Sequence, residues 1–95
     1  MAFKVEFNEE KDQILQATRG IGFVEVIKHL QAGNLLADRK NPDPNKSHQR
    51  MYIIQIEEYV YVVPYVIDAQ QEEIFLKTIY PSRKFTKRYI RKEEL

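Results

Sequence analysis

From Arg50 onward the chain holds three strand-like runs, RMYIIQI, YVYVVPYVI and EIFLKTIY, with Glu57-Glu58 between the first two and DAQQ before the third. Each run is dense in β-branched and aromatic residues, which fit a pleated, half-buried surface. Connections this short allow only antiparallel neighbours, because a parallel pair needs a long crossover. The stretches 51–56, 59–67 and 73–80 are therefore predicted to form one antiparallel meander. Pro64 cannot donate to a ladder, so a bulge or an unpaired position is expected beside it. A sheet of this kind must bury a face, and the rest of the chain has to cover it.

The N-terminal half supplies that cover. Phe3, Val5 and Phe7 alternate with Lys4 and Glu6, which predicts a fourth strand over 2–7 in the same sheet. Asn8 can cap a helix, and Glu9 and Glu10 then sit in its first turn, where the helix dipole favours carboxylates. This first helix is expected from Glu9 to Arg19, ending at Gly20. Phe23, Val26, Ile27 and Leu30 have helical spacing and predict a second helix, stopped near Gly33. Leu35-Leu36-Ala37 is a short apolar piece, strand or extended. DRKNPDPNKSHQ then reads as a polar loop, long enough to suggest a functional role. The expected fold is α+β in one domain, 1–95. It has an antiparallel sheet of about four strands, two N-terminal helices on one side and a short basic C-terminal helix.

Composition narrows the chemistry. With 95 residues and 43% hydrophobic content the chain suits one small, marginally stable domain. It has no cysteine, hence no disulfide, thiolate metal site or thiol nucleophile. Two histidines with no cysteine and no HExxH pattern make a weak case for a metal, and no glycine-rich loop supports nucleotide hydrolysis. MAFKVEF does not read as a signal peptide, and YVYVVPYVI is too short to span a bilayer as a helix. The expectation is a soluble cytoplasmic protein that needs no cofactor and no membrane.

The C-terminal segment TIYPSRKFTKRYIRK carries six Lys or Arg and no acidic residue, although the whole chain has a net charge of only +1. Ser82 is a candidate cap. At about 100° per residue, Arg83, Lys84, Lys87, Arg88 and Arg91 fall on one arc, and Phe85, Thr86, Tyr89 and Ile90 on the other. The segment is predicted to be a short helix that packs its apolar arc on the domain and presents a cationic row. Such a row suits a phosphodiester backbone. A solvated face, an acidic protein partner or an anionic membrane surface would suit it as well.

Among other residues, His29 reads as a structural residue of the second helix. His48, in the polar loop beside Gln49 and Arg50, could act as general acid or base near an anion. Tyr61, Tyr65 and Tyr80 could each offer a hydroxyl or a stacking face, and the sequence singles out none of them.

FNEEK followed by RGIGFVEV resembles the opening of BrnT-like toxins. SRKFTKRY resembles that family's closing segment, in which Ser or Ala and Arg precede Thr and Tyr. The resemblance spans most of the chain in element order. It implies a fold similar to RelE-type ribonuclease toxins, a metal-independent endoribonuclease activity, and neutralisation by a small antitoxin, often of ribbon-helix-helix type, in a hetero-oligomer. It places Arg83 on the family's late Arg, with Thr86 and Tyr89 after it. Arg19 falls where the family has Lys-His; here the pair is Thr18-Arg19, so that His is absent, and Phe7-Asn8 replaces a common Trp. RNA cleavage by the adjacent 2′-hydroxyl gathers negative charge on phosphoryl oxygens, which guanidinium and ammonium groups can stabilise. The catalytic candidates are Arg83, Arg50, Lys77 and His48, the last as proton acceptor. Lys84, Lys87, Arg88, Arg91 and Arg19 are candidates for holding the RNA. The competing reading is a non-catalytic module that binds nucleic acid or protein through the basic helix.

Overall fold

The computed structural model describes residues 3–90. Arg91, expected in the cationic row, lies outside them. The elements run β1 (Lys4–Phe7), α1 (Glu9–Arg19), α2 (Phe23–Gln31), β2 (Leu35–Lys40), a 3-10 turn (Pro44–Lys46), β3 (Arg50–Ile56), β4 (Tyr59–Asp68), β5 (Glu73–Leu76), β6 (Tyr80–Pro81) and α3 (Arg83–Tyr89). No helix among them is long and apolar enough to cross a membrane.

The strands form one mixed sheet in the order β1-β5-β4-β3-β2, with β6 also paired to β4. The meander β3-β4-β5 is antiparallel, as its short connections require. The sheet departs from the four antiparallel strands expected in three ways. β1 joins β5 in parallel, Val5 opposite Ile74, because the intervening chain provides the long crossover. β2 reaches Lys40 and pairs with β3, so 38–40 belong to the sheet and not to the loop. The run 73–80 breaks after Leu76 and resumes only at Tyr80. Pro64 causes no bulge, since β3 and β4 stay in register through it. Its missing donor coincides with the end of β5 pairing, where its carbonyl instead accepts from Lys77 N–H at 2.8 Å.

Helices cover both faces. On one, α1 and α2 pack Leu15, Phe23 and Val26 over Ile54, Val63 and Leu76. On the other, Phe85 of α3 packs with Met51, Ile53, Val60 and Val62, with Tyr89 and Ile90 against the same cluster. The layout is thus three-layered around the centre of the sheet, where helices on one side were expected. Strand alternation explains it: Ile53 and Val62 point away from α1 and α2 and need their own cover.

Local chemistry sets the helix ends. Asn8 accepts from Lys11 N–H at 2.8 Å, and Gly20 closes α1 in the left-handed conformation at φ 73°. α2 begins at Gly22, which has no side chain to cap with. Asp12 of α1 does that work across the interface. It is 6% exposed, and its Oδ1 accepts from Phe23 N–H at 2.6 Å while its Oδ2 accepts from Gln16 at 2.8 Å.

Candidate nucleic-acid interface

The basic segment folds as the hydrophobic arc requires. Ser82 caps α3 by accepting Phe85 N–H at 3.1 Å. Phe85 and Thr86 are buried, while Arg83, Lys84, Lys87 and Arg88 are exposed and line one concave patch. The helix is tied to β4 by polar contacts as well. Ser82 N–H donates to the Val60 carbonyl at 2.9 Å, and Val60 N–H donates to the Thr86 hydroxyl at 2.9 Å. Both outward backbone groups of Val60 are thereby satisfied by α3, which a sheet edge would otherwise leave open.

A residue absent from the sequence-based candidates joins this patch. Arg39 of β2 pairs with Met51 and shares its face of the sheet. Its guanidinium lies 5.5 Å from the Phe85 ring centroid, with Lys84 at 5.8 Å and Arg88 at 6.0 Å. Cations favour the electron-rich ring, which helps to gather three of them from two elements. Among the described residues the ion pairs are Lys4–Glu6 and Arg50–Asp38, so no carboxylate neutralises this group there.

The same sheet face carries a cleft beyond the N-terminus of α3. Lys11, Lys46, Gln49, Pro64, Lys77 and Tyr80 line it. Lys77 also lies 5.3 Å from the Phe75 ring centroid. Loop residues and Lys77 thus line the same cleft. His48 is adjacent to Gln49 in the chain, is exposed, and has no hydrogen bond with a described residue.

Arg50 and Arg19 stand apart from the α3 face. Arg50 pairs with Tyr65, whose ring belongs to the α1/α2 core. Its Nε donates to Asp38 Oδ1 at 3.1 Å and its Nη2 to the Asp38 carbonyl at 3.0 Å. Tyr65 donates to both oxygens of the same carboxylate, at 2.7 and 2.8 Å, and stacks on Tyr52 with ring centroids 4.0 Å apart. The hydrogen bond to Asp38 raises the Arg50 pKa further above its ordinary value. Burial, then the bond to Asp38, raises that of Tyr65. This cluster ties β2, β3 and β4 together on the face opposite α3. Arg19 lines a different hollow at the β3–β4 turn, among Glu25, Glu57 and Glu58.

Among the described residues no group of three or more His, Cys, Asp or Glu could hold a metal. Chemically, the α3 face can bind an extended anion through exposed guanidinium and ammonium groups, and the cleft can take a smaller piece of it.

Compared with family models and with curated proteins, the chain matches none. Among solved structures it is similar to the free E. coli toxin RelE carrying two arginine-to-alanine substitutions, with a TM-score of 0.48, 16% identity, and 100% of each chain covered. It is similar also to the isolated E. coli RelE toxin, with a TM-score of 0.45, 16% identity, and 99% of this chain and 100% of that one covered.

Proposed function

We propose that the chain is the toxin of a type II toxin–antitoxin system, a metal-independent endoribonuclease that cleaves RNA in the cytoplasm. The observation that carries this reading is the convergence of Arg39, Arg83, Lys84, Lys87 and Arg88 on one sheet face, unneutralised among the described residues. The BrnT-like opening and closing segments support it from the sequence. In the reaction proposed, a ribose 2′-hydroxyl attacks the adjacent phosphorus, forming a new P–O bond as the 5′-oxygen leaves. Arg83 stabilises the charge that develops on the phosphoryl oxygens. Lys84, Lys87, Arg88 and Arg39 hold flanking phosphates. Lys77 charges the neighbouring cleft, and His48 is the candidate proton acceptor. Positioning and charge stabilisation carry most of the rate enhancement. The partner is an antitoxin, of the ribbon-helix-helix class in the simplest case, whose acidic segment covers the basic row in a hetero-oligomer.

A second reading, a non-catalytic nucleic-acid-binding module, is favoured by the isolation of His48 from any described hydrogen-bond partner. Induction of the chain alone in bacteria, with growth and RNA integrity followed together, separates the two. Growth arrest with cut RNA supports the nuclease; growth and RNA both unaffected sink it.

A further inference from the structure

The sequence offers three tyrosines as stacking platforms, and the fold selects one. Tyr65 is 2% exposed and committed to Asp38. Tyr61 packs against the α1/α2 core, edge-on to Tyr59. Tyr80 is 38% exposed, which leaves part of its ring open to solvent. It pairs with Val62, so it stands on the sheet face that carries α3.

Tyr80 forms a wall of the cleft described above, which measures about 480 Å³. That is within the usual range of about 300–1,000 Å³ for pockets that hold small molecules. Around the ring the lining supplies the ammonium groups of Lys11, Lys46 and Lys77 against the single carboxylate of Asp43. The Asp43 carboxylate is turned to its own loop, accepting Asn45 N–H at 2.9 Å. The carboxamide of Gln49 has one weak partner, Asn41 at 3.4 Å, and so retains hydrogen-bonding capacity. Burial raises the Tyr80 pKa above its ordinary value.

An aromatic ring set among cations is the arrangement that binds single-stranded nucleic acid, with bases on the ring and phosphates on the charges. A paired base is stacked within its helix and cannot reach such a ring without leaving the stack. We propose that this cleft holds one unpaired nucleotide of the RNA, with its base stacked on Tyr80 and its phosphates held by Lys77 and Lys46. The inference rests on the RNA reading above and adds a base-binding subsite to it. Tyr80 precedes Arg83 by a single short segment, so a strand seated in the cleft continues onto the α3 cations.

The test uses a short RNA whose riboses are 2′-O-methylated, so that it cannot be cut, with 2-aminopurine at one position. A duplex of the same length is the comparison. The parent and Tyr80→Phe are expected to quench the 2-aminopurine equally. Tyr80→Ala should lose the quenching and bind the single strand about tenfold more weakly, with duplex binding unchanged. If Tyr80→Ala binds and quenches as the parent does, the base subsite is overturned; the RNA reading still stands if Lys84→Ala weakens binding. A parent that binds neither strand overturns both. Should Tyr80→Ala melt far below the parent, Lys77→Gln decides. It must weaken single-strand binding more than duplex binding, and equal loss overturns the proposal.

Discussion

The hydroxyl of Thr86 accepts Val60 N–H at 2.9 Å and donates to the Ser82 carbonyl at 2.7 Å, so one buried oxygen fixes the basic helix to the middle of the sheet. Thr86→Val keeps the shape and removes the acceptor, leaving Val60 N–H buried and unsatisfied. A loss of about 1–3 kcal/mol is expected. Thr86→Ser should restore most of it. Urea denaturation of both variants measures the difference, and equal midpoints for valine and parent would show that the bond contributes nothing.

The contact between Asp12 and the start of α2 explains the second glycine of RGIG. A Cβ at Gly22 would lie 2.8 Å from Asp12 Oδ1 and 2.9 Å from Gln16 Cγ. Gly22→Ala should therefore destabilise by about 1–3 kcal/mol, the usual cost of overpacking. Asp12→Ala removes the same cap from the other side and should cost a similar amount. The two losses share one interaction, so the double variant should lose less than their sum.

The Glu57-Glu58 turn holds Glu57 at φ 58°, the left-handed region that glycine and asparagine prefer. Glu57→Gly should raise the melting temperature by relieving strain of about 1 kcal/mol. No change, or a fall, would mean that the Glu57 side chain contributes more than its backbone costs.

Tyr65 gives a pH dependence with a definite sign. Its folded pKa is raised above the ordinary 10.0 by burial and by its bond to Asp38. A raised folded pKa means that its contribution is complete below the unfolded pKa and is lost as pH climbs beyond it. Stability should thus be flat in this respect up to about pH 10 and fall above it. In Tyr65→Phe the fall should be shallower, and stability at neutral pH lower by about 2 kcal/mol. Urea midpoints at neutral and alkaline pH check both. The same alkaline slope in parent and variant would show that Tyr65 does not carry it.

Arg83 and Arg50 separate the two faces. Arg83→Ala should melt as the parent does, because exposed positions outside specific networks change stability by about 0.5 kcal/mol or less. Its RNA cleavage should drop roughly a hundredfold or more. Arg50→Ala should do the reverse, lowering the melting temperature through the Asp38–Tyr65 cluster while leaving cleavage intact below the melt. An Arg83→Ala chain as toxic as the parent at equal expression would remove Arg83 from the mechanism.

Local signals in the sequence carried far. α1 begins and ends where Asn8 and Gly20 place it, because caps depend on a few neighbouring residues. The arc of Phe85 and Thr86 against that of the cations is visible for the same reason. What the sequence could not disclose depends on distant partners. Asp38–Lys40 look like loop residues, yet they pair with β3, and Arg39 lies over a ring far along the chain. Alternation of Ala37 and Arg39 was the available sign, obscured by the register shift between Leu35 and Ala37. Arg50 resembles any phosphate-binding arginine until its Asp38 partner is known. The candidate site divides in the same way. The α3 cations follow from periodicity, whereas the exposure of Tyr80 emerges only once β6 is docked.

The parallel pairing of β1 with β5 bears on synthesis. Val5 leaves the ribosome well before its partner Ile74, most of the described chain lies between them, and α3 comes later still. A domain generally folds as a unit, and here β1 has no sheet partner to dock on until β5 has been made. The cationic face, built on α3, is therefore completed only after both members of that parallel pair have been made.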